Sequence, residues 1–334
     1  MTTRDRATNA LRRSFDHLPS GARSEVRRVA DAARGLNQVK RNQAALALRV
    51  AELERVHRKP DPEPTDHRFP PGVLSRLCTQ DQLESEWFAE WCTALGEEPE
   101  AHRKLWEWAY LVRVLDELDQ MRPGRRGLGF GVGRESMVAF IAGHGCEVVA
   151  TDLAPDAAEA RLWTNADQHA SGVLGALARP ELCDPGQFAE RVTWRPVDMR
   201  AMPADLVGFD FCWSACAFEH LGTIEAGLQF VTDSVATLAP GGIAVHTTEL
   251  NLDSDADTIA AGPTVLFRRR DLRELAGRLE AAGHEVALLH LDEGTGALDT
   301  YVDVPPYVAE PHIRLLYRNV TTTSVALVIR AGRR

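Results

Sequence analysis

Four glycines alternate along one short stretch of the chain, at Gly127, Gly129, Gly131 and Gly133. Glycine lets a backbone turn tightly and approach a ligand with no side chain in between. The next apolar run ends in a carboxylate at Asp152. A strand, a glycine loop, a helix and a second strand closed by an acid form the arrangement that holds a nucleoside at the carboxyl edge of a parallel sheet. The pattern therefore predicts a nucleoside-binding site.

The spacing of these glycines distinguishes between nucleoside cofactors. The dinucleotide fingerprint requires G-x-G-x-x-G, and from Gly129 its third glycine would fall on Arg134. No other frame fits, which disfavours a nicotinamide-dependent oxidoreductase. The observed spacing is G-x-G-x-G, which resembles motif I of the class I S-adenosylmethionine-dependent methyltransferases.

Three further segments resemble motifs of this family, in the family's order, over residues 124–250. The resemblance implies that Asp152 accepts hydrogen bonds from both ribose hydroxyls, a task that suits the two acceptor oxygens of a carboxylate. The segment 197–199, Val-Asp-Met, matches the place of an acid that accepts from the adenine amino group. Residues 209–221 look like strand four and its loop, and residues 240–249 look like the glycine turn and strand five.

The resemblance implies an α/β fold with a Rossmann-like sheet of seven strands, the last one antiparallel, and S-adenosylmethionine as the cofactor. The cofactor-binding residues that it implies are Gly127, Gly129, Gly131, Gly133, Asp152, Asp198, Met199 and Ser214. The family usually has an acid where this chain has Gly127, and that acid helps to orient the methionine amino group. Glu135, Arg134 or a backbone carbonyl is expected to take its place.

Two histidines and one glutamate are candidates for the catalytic chemistry. Methyl transfer to a hydroxyl requires aligned reactants and a base whose pKa lies near neutrality. Glu219 and His220 follow strand four, and His246 lies within strand five; the family places both strand ends near the transferring methyl group. The alternative for each histidine is a hydrogen-bonded structural role, and for Glu219 it is electrostatic stabilisation of a helix end.

The Glu219-His220 pair also occurs in methyltransferases that bind a divalent metal. In those enzymes another glutamate precedes the pair by three residues, where this chain has Cys216. Glu249 and Asn251 follow strand five and are candidates to complete such a site. Oxygen and imidazole ligands favour Mg²⁺ or Mn²⁺, so the predicted metal ligands are Glu219, His220 and Glu249.

Composition limits the class of protein and of partner. The chain has 334 residues, of which 44% are apolar, and a net charge of −10; this length predicts one catalytic domain with an additional part. A protein that follows a nucleic-acid backbone needs a basic surface, so nucleic acid is disfavoured as a partner. There is no apolar run long enough for a membrane span, no secretory signal and no metal-like cysteine spacing. A cytoplasmic location is expected.

The N-terminal part, residues 1–57, is polar and helix-prone. Alternating three- and four-residue spacing within it is typical of a short coiled coil. The predicted seam consists of Leu36, Val39, Gln43, Leu46, Val50 and Leu53. It predicts a homo-oligomer or a docked partner, and the alternative is an amphipathic helix that packs on its own catalytic domain. Residues 58–72 form a proline-rich linker in which no helix is expected.

Residues 73–121 are predicted to form a helical cap, and residues 122–334 the S-adenosylmethionine-binding methyltransferase domain. The cap is rich in tryptophan, which we interpret as the core between cap and sheet, with stacking on a sugar or aromatic acceptor as the alternative. An ordered loop between strands six and seven is expected to cover the acceptor. Its candidate substrate contacts are Tyr301, Asp303 and Tyr307.

Together these features predict a methyltransferase that acts on a hydroxyl of a sugar, a glycan or another small acceptor. The histidines and the acidic loop favour oxygen as the acceptor atom. The Asn/Asp-Pro-Pro-Tyr/Phe motif of many N-methyltransferases is absent after strand four, where residues 214–217 read Ser-Ala-Cys-Ala. An N-methyltransferase remains an alternative. So does a non-catalytic scaffold protein that binds the cofactor and acts through its N-terminal helices.

Overall fold

A computed structural model describes residues 20–59, 64–155 and 174–333. The helices are α1 (Ser20–Arg55), α2 (Gln80–Leu83), α3 (Glu86–Ala94), α4 (Arg103–Glu117), α5 (Met137–Gly143), α6 (Pro185–Arg191), α7 (Ile224–Ala236), α8 (Arg269–Ala281) and α9 (Ala297–Thr300). The strands are β1 (Ser75–Arg76), β2 (Arg126–Phe130), β3 (Glu147–Asp152), β4 (Val192–Pro196), β5 (Phe209–Ala215), β6 (Leu238–Asn251), β7 (Glu285–Val286), β8 (Leu289–His290), β9 (Val302–Asp303), β10 (Arg314–Tyr317) and β11 (Val320–Arg330).

The main sheet has the strand order β4-β3-β2-β5-β6-β11-β10-β9, and β7 also pairs with β11. Strands β2 to β6 pair in parallel, whereas β11 runs antiparallel to β6. The predicted Rossmann-like sheet with an antiparallel last strand is therefore confirmed. Strands β9 and β10 extend it beyond the seven strands that were expected.

The strand order reverses between β2 and β5, and this reversal creates the crevice that holds the candidate site. From β2 the chain moves outward to β3 and β4, and it then returns to place β5 on the other side of β2. At such a switch point the loops beyond the carboxyl ends of the strands diverge, and open α/β sheets bind their ligands there. The loops that begin at Gly131 and Cys216 both line this crevice.

Two hydrophobic cores cover the two faces of the sheet. Alternate residues of a strand point to opposite faces, so Phe211 and Trp213 pack with α3, α4, α5 and α6, while Cys212 packs with α7 and α8. Trp106 of α4 is fully buried in the first core, whereas Trp108 of the same helix lines the crevice. Helix α4 therefore packs directly on the sheet and shares a core with it.

The second half of α1 packs against the rest of the chain. Ala44 and Ala51 are buried, and the ammonium group of Lys40 donates to two carbonyl groups in the loop after β9. The carboxylate of Glu54 accepts a hydrogen bond of 3.0 Å from the backbone N–H of Ala297. This face of α1 therefore holds the helix on its own domain, as the alternative interpretation expected.

Five of the six residues of the predicted seam of α1 are exposed, and Val50 is partly buried. The exposed fraction is 67% for Leu36, 53% for Val39, 62% for Leu46 and 59% for Leu53. Apolar side chains at this spacing are available to a second helix while the adjoining face, with Ala44 and Ala51, packs on the domain. Among the described residues, no helix combines the length with the apolar character that a membrane crossing requires.

Two local features differ from the sequence prediction. The sequence predicts one strand, strand six of the family's sheet, over residues 285–291. In the structure this segment is divided into β7, which pairs with β11, and β8, which pairs with β1 in a separate small sheet. Strand β1 lies at the start of the segment predicted to be helical. Of the predicted linker, residues 58–59 and 64–72 contain neither helix nor strand, and residues 60–63 lie outside the described residues.

Candidate active site

A cleft of about 730 Å³ opens at the switch point of the sheet. Its walls come from the loops after β2 and β5, the ends of β3, β4 and β6, one face of α4, and the segment around β10. This volume is within the range of small-molecule sites, roughly 300–1,000 Å³. The predicted site residues that line it are Gly131, Gly133, Asp152, Asp198, Met199, Glu219, His220, Glu249 and Tyr307.

The glycine loop and the acid after β3 meet at one end of the cleft. Gly131 and Gly133 have φ values of +58° and +53°, a conformation that glycine adopts readily. A Cβ atom on Gly131 would lie 2.9 Å from the Cβ of Ala217. The carboxylate of Asp152 accepts hydrogen bonds from the N–H groups of Gly133 at 3.2 Å and Leu153 at 2.8 Å. Backbone donors thus fix the carboxylate beside the loop.

Asp198 and Met199 follow β4 and line the same end of the cleft. The guanidinium of Arg200 donates to both carboxylate oxygens of Asp198, at 3.0 and 2.8 Å. These hydrogen bonds lower the pKa of Asp198, so the group is ionised and acts as an acceptor. Met199 is buried and presents an apolar side chain between this acid and the glycine loop.

Gly127 and Gly129 are placed outside the cleft, which corrects their assignment as cofactor contacts. A Cβ atom on Gly127 would overlap the ring of Phe211, and one on Gly129 would lie 2.5 Å from the ring of Trp213. These two rings are stacked at 5.9 Å between centroids and fill the space beside β2. Both glycines therefore accommodate aromatic packing, and the acid that the family carries at Gly127 would not fit here.

His246 and Ser214 are also placed outside the cleft. The Nδ1 and Nε2 atoms of His246 each lie 2.9 Å from a hydroxyl oxygen, the first of Ser214 and the second of Ser234. Burial lowers the pKa of His246 to about 3, so the ring is neutral. This corrects its assignment as a base and that of Ser214 as a cofactor contact. Both faces of a parallel sheet are buried, so sequence alternation does not show which way such a side chain points.

Helix α4 contributes a buried guanidinium that was not predicted. Arg103 lies 2.5 Å from Oε1 of Glu249 and donates to the hydroxyl of Ser324 at 2.9 Å. The nitrogen that pairs with Glu249 is Nη2, whereas Nη1 donates to Ser324 and lies 3.4 Å from Oε1 of Glu107. Burial alone would lower the pKa of Arg103, but Glu249 and its neighbours raise it above its usual value. The guanidinium therefore stays charged between two carboxylates.

Lys104, the next residue of α4, lies against the glycine loop. Its ammonium group is 2.9 Å from Oε1 of Glu135 and donates to the carbonyl of Ala215 at 2.9 Å. Burial alone would lower the pKa of Lys104, but Glu135 and Glu107 raise it. Glu135, one of the expected substitutes for the missing acid, thus lines the cleft in an ion pair with Lys104.

The side chains do not fit the predicted Mg²⁺ or Mn²⁺ site. One thiol and two carboxylates cluster in the cleft. They belong to Cys216, Glu219 and Glu249, and their possible ligand atoms lie within 4.8 Å of one another. Burial raises the pKa of the Cys216 thiol well above its usual value, and sulfur is a ligand that these hard cations do not favour. The cation beside Glu249 is Arg103. Instead of joining this group, His220 bonds the carbonyl of Pro263 through Nδ1 at 2.8 Å.

Only one of the three predicted substrate contacts lines the cleft. Tyr307 lines the cleft, whereas Tyr301 does not. Asp303 is fully buried, which corrects its assignment as a substrate contact. Its Oδ2 lies 2.9 Å from Nδ1 of His312, and His312 lines the cleft. His312 was not among the predicted site residues. The sequence signal for it is an aspartate, Asp303, and a histidine nine residues later, at the two ends of one loop.

No protein-family model and no curated protein matches this chain. Similar solved structures include a protein assigned as a sarcosine dimethylglycine methyltransferase from Galdieria sulphuraria, with a TM-score of 0.42 and 14% identity, over 75% of this chain and 99% of that one. An amino pentose methyltransferase from Micromonospora echinaspora has a TM-score of 0.36 and 20% identity, over 66% and 89% of the two chains. A 1,6-didemethyltoxoflavin N1-methyltransferase from Burkholderia thailandensis has a TM-score of 0.38 and 17% identity, over 66% and 76%.

The chain's own strand order, with the glycine loop and the acids at the switch point, decides the fold assignment. The fold is that of the class I methyltransferases. In this methyltransferase fold the cleft has two ends of different chemistry. One end has the glycine loop, Asp152 and Asp198; the other combines ion-paired residues of α4 with the carboxylates of Glu219 and Glu249.

Proposed function

We propose that the protein is an S-adenosylmethionine-dependent methyltransferase that acts on a hydroxyl group of a sugar, a glycan or another small molecule. The observation that carries the proposal is the presence, in one cleft, of a nucleoside-type end at Gly131 and Asp152 and a buried polar end beside it. When bound, S-adenosylmethionine supplies an electrophilic methyl group on a sulfonium centre.

The residues at the first end fit this cofactor. Asp152 offers a carboxylate held by backbone donors, which suits the two ribose hydroxyls. Asp198 accepts at the position implied for the adenine amino group, and Met199 gives an apolar surface beside it. Gly131 and Gly133 let the backbone approach without a side chain.

Glu135 and Lys104 are proposed to take the role of the acid that is missing at Gly127. They form an ion pair directly after the glycine loop, with both side chains lining the cleft. A carboxylate and an ammonium group together complement the ammonium and carboxylate of an amino acid. The methionine part of the cofactor carries both of these groups.

The second end of the cleft supports a small hydroxylated acceptor. Cofactor and acceptor share about 730 Å³, which leaves room for a small molecule or one end of a glycan. Glu219 and Glu249 offer carboxylate oxygens that accept from hydroxyl groups. Burial raises the pKa of Glu219. The clustered carboxylates would repel a phosphate-bearing polymer, in agreement with the net charge of −10.

The test measures transfer of a labelled methyl group from S-adenosylmethionine by the full-length protein. One panel contains sugars and other hydroxylated small molecules, and a matched panel contains the corresponding amines. Transfer to hydroxyl groups, unchanged by EDTA because Arg103 is the cation of the site, supports the proposal. Transfer to amines alone would establish an N-methyltransferase. Cofactor binding without transfer to either panel would favour the scaffold alternative.

A further inference from the structure

The buried carboxylate of Asp303 is hydrogen-bonded to one histidine of the cleft, His312. Oδ2 of Asp303 lies 2.9 Å from Nδ1 of His312 and also accepts from the N–H of Val308 at 3.0 Å. Asp303 is fully buried, and the ammonium group of Lys40 lies 3.9 Å from its second oxygen. An ionised carboxylate only accepts hydrogen bonds. The proton of the His312 ring therefore lies on Nδ1, and Nε2 keeps its lone pair.

The His312 ring is held in one orientation at the cleft wall. It stacks on the ring of His102 with 4.7 Å between centroids and meets the ring of Tyr307 edge-on at 5.4 Å. Its backbone is fixed by hydrogen bonds to Ala101 and from Arg103, at 2.8 and 3.0 Å. A ring that is packed on both sides and bonded at Nδ1 is organised before any ligand arrives.

The other histidines of the site lack this combination. His246 is outside the cleft, with both ring nitrogens bonded to hydroxyl groups. His102 accepts from the N–H of Lys104 at Nδ1, so in its neutral form the proton is on Nε2 and that atom cannot take another. Nδ1 of His220 is bonded to the carbonyl of Pro263 rather than to a carboxylate, and its Nε2 lies 3.8 Å from Oε1 of Glu219. Only His312, among the described cleft residues, has a buried aspartate bonded to Nδ1.

We propose that His312 is the general base of the reaction and that Asp303 is its positioning residue. The inference rests on the proposed function and identifies the group that receives the proton. The acceptor oxygen gives its proton to Nε2 of His312 and bonds the methyl carbon as the carbon–sulfur bond breaks. Asp303 holds the ring in the required tautomer and stabilises the imidazolium that forms, the role an aspartate has in hydrolase triads.

The charges around His312 set its pH dependence. Burial lowers its pKa, the hydrogen bond to Asp303 raises it, and the charge of Arg103 lowers it, with a net shift below the usual value. Glu249 also faces the ring, as do the rings of His102 and Tyr307. His312 is therefore neutral at and above neutral pH, the state that a base requires, and loses this state only in acid.

The first test needs no acceptor and no activity. Nitrogen-15 NMR of the histidine rings in the full-length protein reports the tautomer, and the His312→Gln spectrum assigns the signal. We expect the proton on Nδ1 near neutral pH, and a lower titration midpoint in Asp303→Asn because the hydrogen bond that raises the pKa is lost. A proton on Nε2, or a His312 midpoint unmoved by Asp303→Asn, would overturn the proposal.

The second test separates this inference from the proposed function. Binding of S-adenosylhomocysteine is measured by calorimetry, and turnover is measured with the best hydroxylated acceptor of the panel. His312→Gln should bind the nucleoside as wild type does and lose about 10²- to 10⁴-fold in kcat, whereas His67→Gln, a change at an exposed histidine, should match wild type. In Asp303→Asn the acid limb of kcat/KM should move to lower pH.

Two outcomes would contradict the account at different levels. Full turnover by His312→Gln would refute the assignment of His312 as the general base. A wild-type protein that neither binds the nucleoside nor transfers the methyl group would refute the proposed function itself.

Discussion

Nη2 of Arg103 lies 2.5 Å from Oε1 of Glu249, and this ion pair joins α4 to β6 inside the cleft. It connects a helix that precedes the sheet to the strand end beside the acceptor half of the site. Both side chains are largely removed from solvent. The loss of one partner would leave the other charge buried and uncompensated.

Arg103→Ala should therefore lower the free energy of unfolding by about 3–5 kcal/mol, the usual cost of breaking a buried ion pair. Urea unfolding measures this quantity without any assumption about activity. The control is Arg122→Ala, because Arg122 pairs with Asp119 at 2.8 Å while their side chains are 50% and 74% exposed. Exposed pairs contribute about 0–1 kcal/mol. Equal effects of the two substitutions would show that the Arg103 pair is not buried in solution.

Gly131→Ala should abolish cofactor binding while the protein stays folded. The new Cβ would lie 2.9 Å from that of Ala217, at a φ of +58°, so the loop must shift away from its observed path. Calorimetric titration with S-adenosylhomocysteine measures the loss. Gly277→Ala in α8 is the matched control, since its Cβ would meet no atom within 4 Å; we expect unchanged binding and a stability gain of roughly 0.5–1 kcal/mol. Unchanged affinity in Gly131→Ala would show that this loop does not approach the ligand.

Replacement of His246 should lower the free energy of unfolding and leave cofactor binding unchanged. His246→Leu leaves the hydroxyls of Ser214 and Ser234 without their ring partner, and an unsatisfied buried group costs about 1–3 kcal/mol. Binding of S-adenosylhomocysteine should be unaffected, since His246 does not line the cleft. A variant with wild-type stability and impaired binding would contradict this assignment.

The low pKa of His246 predicts that the free energy of unfolding depends on pH. Its pKa is about 3 in the folded protein and about 6.5 when unfolded, so between these values the unfolded chain binds more protons. The contribution is therefore complete above pH 6.5 and decreases as the pH falls towards 3, by at most about 1.4 kcal/mol per pH unit. Urea unfolding at several pH values should show a smaller acid loss in His246→Leu than in wild type. Parallel curves would mean that His246 is protonated in the fold.

The exposed seam of α1 predicts a dimer of this chain. Leu36, Val39, Leu46 and Leu53 are more than half exposed at coiled-coil spacing, with Gln43 as a polar position that can fix the register. Light scattering should give the molar mass of two chains for wild type and for Ala45→Glu, an exposed change outside the seam. Leu46→Glu should give one chain. A monomeric wild-type protein would refute self-association through this helix.

Most of the sheet could be predicted because its signals are local. The glycine loop after β2, the acid at the end of β3 and the glycine pair near the start of β6 each combine a strand with its own neighbouring residues. The orientation of His246 could not be read in this way, because a strand that is buried on both faces shows no alternation. Gly127 and Gly129 were misassigned for a related reason: their Cβ positions are filled by Phe211 and Trp213, which are distant in sequence.

The polar end of the cleft was largely invisible in the sequence. Arg103, Lys104 and Glu107 have the spacing of charges on any solvated helix face, and only tertiary packing shows that this face is buried. Their partners Glu135 and Glu249 are separated from them along the chain. Asp303 was recognised as important, but its contact with His312 depends on the path of the intervening loop.

The proposed function depends on the glycine loop and Asp152 forming the site of S-adenosylmethionine. The most direct measurement is calorimetric titration of the full-length protein with S-adenosylhomocysteine, with Asp152→Ala and the exposed control Asp205→Ala alongside. We expect saturable binding to wild type and to Asp205→Ala, and none to Asp152→Ala once circular dichroism has shown that the variant is folded. Absence of binding to the wild type, or equal binding to Asp152→Ala, would contradict the account.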